Sequence, residues 1–211
     1  MIVPKNFADL GWLSAGFYDK TECDIVKDPV LMNQIHSAEV LVLNERPSEL
    51  PAVDALVTRV SHLNLTVKTA DCAPIFLVDT NTKIIAAIHA GWKGAFHGII
   101  VTTLLKMLSL GAHIGTIRAA IGPHLQKDSF QISQDMAKLF PENERALFIS
   151  EINQRILFDF DAYLIHRLNR SGISNVDSCQ VDTYTSNSYN SYRREPNNPA
   201  RQHSSIMIKG E

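Results

Sequence analysis

The chain holds 211 residues, 45% of them hydrophobic and 20% charged, with 20 basic against 22 acidic side chains and a net charge of −2. That composition excludes a disordered chain, a collagen-like repeat and a coiled coil, and it suits one soluble domain able to bury roughly 70% of its extended-chain surface. The near balance of charge argues against a protein that grips nucleic acid through its phosphates, and the apolar runs fall far short of the roughly 20 residues a membrane helix needs.

The first residues, MIVPKNFADLGWL, carry an early proline and an aspartate and no long apolar run, so they make a poor signal peptide. The cysteines are Cys23, Cys72 and Cys179. So odd and sparse a set argues against a disulfide framework and for a reducing cytoplasm.

Strand-length runs rich in Val, Ile and Leu follow at Val40–Leu43, 55–60, 65–68, 75–78 and 84–89. Residues 84–88 are apolar on both parities, which predicts a strand covered on both faces. Gly91-Trp92-Lys93-Gly94 then breaks the pattern. Residues 95–110 place Phe96, Ile99, Ile100, Thr103, Leu104 and Met107 at helical spacing, with Gly111 as the stop. Ile117–Ile121 reads as a strand ended by Gly122-Pro123. Helices are expected at 133–140, capped by Ser133, and at 158–169, stopped near Gly172. A polar stretch at 183–190 leads to Ser191-Tyr192-Arg193-Arg194, and 202–209 reads as a closing strand. Clustered strands with interspersed helices predict a mixed α/β (α+β) fold, and no linker is long enough to divide residues 1–211 into two domains.

Eight histidines are present. His62, His113, His166 and His203 sit among polar neighbours and read as surface or capping residues, and His97 faces out of its helix. His36 and His89 differ, because each lies at the border of a strand-like run, as does Cys72. Strand ends are where α/β folds aim reactive side chains at a common crevice. Two imidazoles and one thiolate would form a three-ligand zinc site with an open fourth position. The gaps of 36 and 17 residues between them match no local metal signature, so a buried cysteine with two core histidines remains the competing reading. His89-Ala90-Gly91-Trp92-Lys93-Gly94 also suits an anion pocket of backbone N–H groups at a helix start, with Lys93 adding charge. Arg193 and Arg194 form a second basic element suited to phosphate or carboxylate. A solvated lysine and an exposed arginine pair are the plain alternatives.

At these residues the sequence resembles a known family. Gln34-Ile35-His36, Thr69-Ala70-Asp71-Cys72-Ala73-Pro74, His89-Ala90-Gly91-Trp92-Lys93-Gly94, Ile121-Gly122-Pro123 and Ser191-Tyr192-Arg193-Arg194 occur in the order seen in that family. It is the bacterial purine nucleoside phosphorylase family formerly called multicopper polyphenol oxidase or laccase-like, and also peptidoglycan editing factor. The resemblance runs from about residue 34 to residue 208. It implies a sandwich of mixed sheets with helices outside, and one zinc held by His36, Cys72 and His89. It also implies phosphorolysis of adenosine, inosine and methylthioadenosine, and deamination of adenosine. The chain departs from the family pattern at Ser37, Lys93, His124 and Asp182-Thr183, and its segment before residue 34 is short.

The function expected is therefore that of a zinc-dependent purine nucleoside enzyme, catalytic through His36, Cys72 and His89, with Asp71 orienting a ligand or handling a proton. Its small-molecule partners would be a purine nucleoside and phosphate, the latter cradled by Lys93, Gly94, Arg193 and Arg194, with no nucleic acid and no membrane involved. Three rivals stand beside it. One is a copper-dependent polyphenol oxidase, since imidazole and thiolate also bind copper. Another is metal-free nucleophilic catalysis by Cys72 with His89 as base. The last is a non-catalytic metal-binding member of the family.

Overall fold

Every residue of the strand Ala73–Asp79 is buried, so this strand must be covered on both faces. The computed structural model, which describes residues 1–210, shows what covers it. In chain order the strands and helices are β1 (Leu13–Phe17), β2 (Pro29–Val30), β3 (Val40–Leu43), β4 (Ala55–Thr58), β5 (Asn64–Thr69), β6 (Ala73–Asp79) and β7 (Ile85–Ala90), then α1 (Trp92–Phe96), α2 (Ile99–Ser109) and β8 (Ile117–Ile121). The chain continues with β9 (Gln131–Ile132), α3 (Gln134–Leu139), α4 (Glu142–Phe148), β10 (Ile149–Ile152), β11 (Arg155–Phe158), α5 (Phe160–Arg170), β12 (Asn175–Ser178) and β13 (Gln202–Ile208).

A six-stranded sheet in the order β12-β8-β6-β7-β4-β3 forms the middle layer. Alternation along its strands divides the core in two. Ile75, Leu77, Ala86 and Ile88 pack against Ile99 and Leu104 of α2 and Tyr163 and Leu164 of α5. Phe76, Val78, Ile85 and Ala87 point the other way, onto Leu65, Val67 and Ile206 of a four-stranded sheet ordered β1-β13-β5-β2. The result is a mixed-sheet sandwich with helices on one outer face. A three-stranded sheet, β10-β11-β9, borders the helical side. Among the described residues no helix is long and apolar enough to cross a membrane.

Several elements differ from the sequence expectation. The helix foreseen over 95–110 is two helices, α1 and α2, because Gly98 adopts φ +92° between them. The helix foreseen from 158 begins at Phe160, where the Asp159 carboxylate accepts from the Ala162 N–H; residues 155–158 form β11. Ser133 caps α3 as expected, accepting from the Met136 N–H. The strand foreseen over 55–60 stops at Thr58, whose Oγ1 accepts from the Val60 N–H and turns the chain. Short or half-exposed strands such as β1, β2, β9, β10 and β12, and helix α4, carry too few apolar residues in phase to be read from pattern.

Phe17 of β1 stacks on Phe76 of the central sheet, with ring centroids 4.7 Å apart and planes within 5°. A Cβ at Gly122 would overlap the Phe17 ring, so the turn after β8 needs glycine for the two sheets to close. Phe17→Ala is expected to lower the unfolding free energy by about 3–5 kcal/mol, by loss of transfer energy and a residual cavity. Gly122→Ala should also destabilise; guanidinium unfolding checks both.

Candidate functional site

The strand order brings the expected side chains together. β7 runs antiparallel to both β6 and β4, and β3 runs parallel to β4. The end of β7 therefore lies beside the beginnings of β6, β4 and β3. Cys72 immediately precedes β6, His89 is near the end of β7, Asp54 immediately precedes β4, and His36 lies just ahead of β3. Nitrogen and sulfur atoms of His36, Cys72 and His89 all fall within 4.8 Å of one another. They grade from the interior outward, with His89 buried, Cys72 half-buried and His36 exposed.

Asp54 is the residue that sequence reading missed. Its side chain is fully buried. Oδ1 accepts from His89 Nδ1 at 2.8 Å and from the His36 N–H at 3.0 Å, while Oδ2 accepts from the Ser37 N–H and hydroxyl at 2.6 and 2.7 Å. One carboxylate thus orients one histidine through its ring and holds the backbone of the other. With Nδ1–H donating to Asp54, Nε2 of His89 is left as the ligand atom. The signal available was an aspartate placed directly before an apolar strand, a common enough arrangement to pass unnoticed.

The charges support one another. Burial raises the Asp54 carboxyl, but hydrogen bonds from His89 and Ser37 outweigh it and hold it down at about 2. Burial also raises the Cys72 thiol, yet the His89 and His36 imidazoles bring it down to about 6. Burial lowers His89, and the Cys72 sulfur and Asp54 carboxylate together carry it up to about 9. A sulfur that favours its thiolate beside oriented imidazoles is a fitting donor set for a soft or borderline divalent metal.

Gly91 contributes by having no side chain. A Cβ there would sit 2.9 Å from His36 Cδ2 and 3.2 Å from Cys72 Sγ. His36 and Asp71 hold φ +59° and +88°, left-handed conformations that cost energy in non-glycine residues and that collect at functional sites.

These donors face a cavity of about 880 Å³. Its apolar wall includes Trp92, Phe130, Phe160, Met136 and the exposed Tyr192, and Asn33, Gln34 and Ser133 supply polar edges. Asp71, expected as a ligand orienter or proton carrier, has both carboxylate oxygens engaged: Oδ1 accepts from the Thr183 hydroxyl and Oδ2 from the Arg193 N–H, each at 2.7 Å. It fixes the 183–193 loop over the cavity. Arg193 lines that cavity with its guanidinium 5.5 Å from the Phe130 ring and bonded to the Ser129 and Gln131 carbonyls.

The other members of the expected phosphate cradle lie elsewhere. Lys93 is exposed, with its ammonium 5.8 Å from the Trp92 ring centroid, and does not line the cavity. Gly94 serves close packing, since a Cβ would meet the Ser37 carbonyl at 2.7 Å. Arg194 turns away and donates to the carbonyls of Thr183, Tyr184, Ser186 and Tyr189, stapling its own loop. His124 is fully buried, with its Nδ1–H donating to the Gly122 carbonyl at 2.8 Å, and it supports Phe160 from behind.

A mixed α/β sandwich with a histidine–cysteine–histidine group, able to hold a metal, at one end of its middle sheet defines the class of protein. Within it, the chain belongs to the multi-copper polyphenol oxidoreductase laccase family, whose model matches residues 18–209. A purine nucleoside phosphorylase of Rickettsia prowazekii is 34% identical over 173 residues, 80% of this chain and 71% of its own. An adenosine deaminase from an unknown prokaryotic organism is 38% identical over 122 residues, 54% of this chain and 47% of its own. A crystal structure of a Neisseria meningitidis protein matches with a TM-score of 0.80 and 28% identity, over 90% of this chain and 78% of its own.

Asp54→Asn is expected to weaken metal retention by about 10- to 100-fold, as loss of an outer partner does in other metal sites. Gly91→Ala should weaken it too, by displacing His36 or Cys72. Competition with a chromogenic chelator measures both.

Proposed function

We propose that this chain is a zinc-dependent purine nucleoside enzyme, phosphorolysing adenosine, inosine and methylthioadenosine to the free base and a ribose 1-phosphate, and deaminating adenosine. The observation that carries the reading is the His36–Cys72–His89 donor set opening onto a cavity with aromatic walls. The names of the relatives, phosphorylase and deaminase, support it. His36, Cys72 and His89 would hold the zinc, which would supply Lewis acidity toward a water or substrate oxygen.

The chain's own residues supply the rest. Asp54 keeps His89 in the tautomer that leaves Nε2 for the metal. Trp92, Phe130 and Phe160 line the cavity and would meet a planar base there, aromatic contacts of this kind being worth about 0.5–1.5 kcal/mol each beyond burial. Asp71 holds the loop that carries Tyr192 and Arg193 to the cavity. In phosphorolysis a phosphate oxygen bonds to ribose C1′ as the bond from C1′ to the base nitrogen breaks, so the cavity must place an anion beside the sugar.

Copper-dependent phenol oxidation is the second reading, favoured by the family's description. Multicopper chemistry needs several metal sites. Among the described residues one group of three or more His, Cys, Asp or Glu side chains lies within ligating reach.

Purified protein is expected to carry about one zinc per chain, as a three-ligand open site requires. His36→Ala, Cys72→Ala and His89→Ala should each remove most of it. Zinc should shield Cys72 from iodoacetamide and a chelator should expose it. Cys23 and Cys179 should react slowly throughout, because burial pushes the Cys23 thiol up and that of Cys179 to about 11. Full zinc content in Cys72→Ala would remove the ligand assignment.

Adenosine with phosphate should yield adenine and ribose 1-phosphate, with some inosine, resolved by chromatography. Strong turnover of phenols by copper-loaded protein, with no nucleoside product from the zinc form, would favour the oxidase.

A further inference from the structure

The cavity carries positive charge that the motifs do not mark. Three permanent cations line it, Lys68, Arg193 and Arg201, against one carboxylate, Asp71. Both oxygens of Asp71 are already taken by Thr183 and Arg193. The guanidinium of Arg193 is bonded to two backbone carbonyls, and Arg201 uses one nitrogen, Nη1, on the carbonyls of Asn198 and Ala200. Lys68 is different. Among the described residues its ammonium makes no hydrogen bond and no ion pair, and the side chain is only half-exposed.

Its position is nevertheless well determined. The Gln34 side chain pairs with the Lys68 backbone like an added strand, donating to the Lys68 carbonyl at 2.7 Å and accepting from its N–H at 2.9 Å. Gln34 is two residues from His36, so the same amide ties the Lys68 backbone to the loop of the donor set. Across the sheet Lys68 faces His203, on the same side of an antiparallel pair. Burial and the Lys68 charge hold that imidazole below its usual pKa, so the neighbour is a neutral ring and no counter-ion. A half-buried cation whose backbone is pinned, whose side chain lines the cavity and which has no ion-pair partner has its charge available to a ligand.

We propose that Lys68, with the free Nε and Nη2 of Arg201 beside the same space, forms a phosphoryl subsite in this cavity. It rests on the nucleoside reading for the identity of the ligand, and it replaces Lys93 and Arg194 as the place where phosphate is held. The phosphoryl group belongs either to free inorganic phosphate or to the 5′-phosphate of a nucleotide substrate. Both present the same doubly charged oxyanion to the ammonium.

The test is calorimetric titration of the zinc-loaded protein with inorganic phosphate, and separately with adenosine and adenosine 5′-monophosphate. The proteins compared are wild type, Lys68→Met, Lys68→Arg and Lys93→Met. Loss of one charge-assisted contact should weaken phosphate binding by about ten- to a hundredfold in Lys68→Met. Lys68→Arg, which keeps the charge, should stay within about threefold of wild type, and Lys93→Met should bind phosphate as wild type does. Weaker binding of adenosine 5′-monophosphate but not of adenosine in Lys68→Met would support the subsite with a nucleotide as its source. Wild-type affinity for both phosphate and the nucleotide in Lys68→Met would overturn the proposal, as would an equal loss in Lys93→Met. Lys68-dependent phosphate binding without any ribose 1-phosphate formed would keep the subsite and remove the phosphorolysis reading.

Discussion

Much of the site depends on the Asp54 carboxylate. It is buried at the start of a central strand and ties together the backbone at residues 35–37, the ring of His89 and the hydroxyl of Ser37. A buried carboxylate is tolerable only when its lone pairs are satisfied. Here every bond that satisfies them comes from a residue of the donor set or its flanking loop. The desolvation of one acid is therefore offset by the groups whose positions it determines. That coupling lets an exposed histidine with a positive φ keep its place beside a half-buried thiol.

The rigidity behind this arrangement comes from the two cores. The middle sheet is covered by helices on one side and by the four-stranded sheet on the other, so its strands cannot slide without exposing apolar residues on both faces. The donors sit at the end of that sheet. The cavity opens beside them, lined by strand and helix residues such as Thr69, Trp92 and Phe160 together with the loops that follow the strand ends. This is a usual division between scaffold and site.

The basic residues near the cavity illustrate how charge is put to different uses. Arg194 and Arg201 spend hydrogen bonds on loop carbonyls, Arg193 both does this and lies over an aromatic ring, and Lys93 sits in solvent over Trp92. Planar guanidinium groups, with five donors, are well suited to gathering carbonyls. An ammonium on a flexible stem serves better as a point charge toward a ligand. The family's description speaks of copper and phenols, whereas its named relatives handle purine nucleosides. The single donor cluster among the described residues and the aromatic cavity fit the second chemistry more readily.

The sequence by itself determined the composition class, the buried central strands, the cap at Ser133 and the identity of the side chains at strand ends. Those features depend on neighbours a few residues apart, and periodicity and capping report them directly. It also pointed to His36, Cys72 and His89, although spacing left them open to a plain core reading. Only the tertiary structure decided that the three converge, because the strand order β6-β7-β4-β3 pairs residues far apart in the chain. The same holds for Asp54, whose role exists only once β4 lies beside β7, and for Lys68, whose partner Gln34 is remote in sequence. It also decided that Arg194 and Lys93 are not among the residues lining the cavity. A short basic motif specifies charge, but the direction of that charge is set by the carbonyls and rings that folding places within its reach.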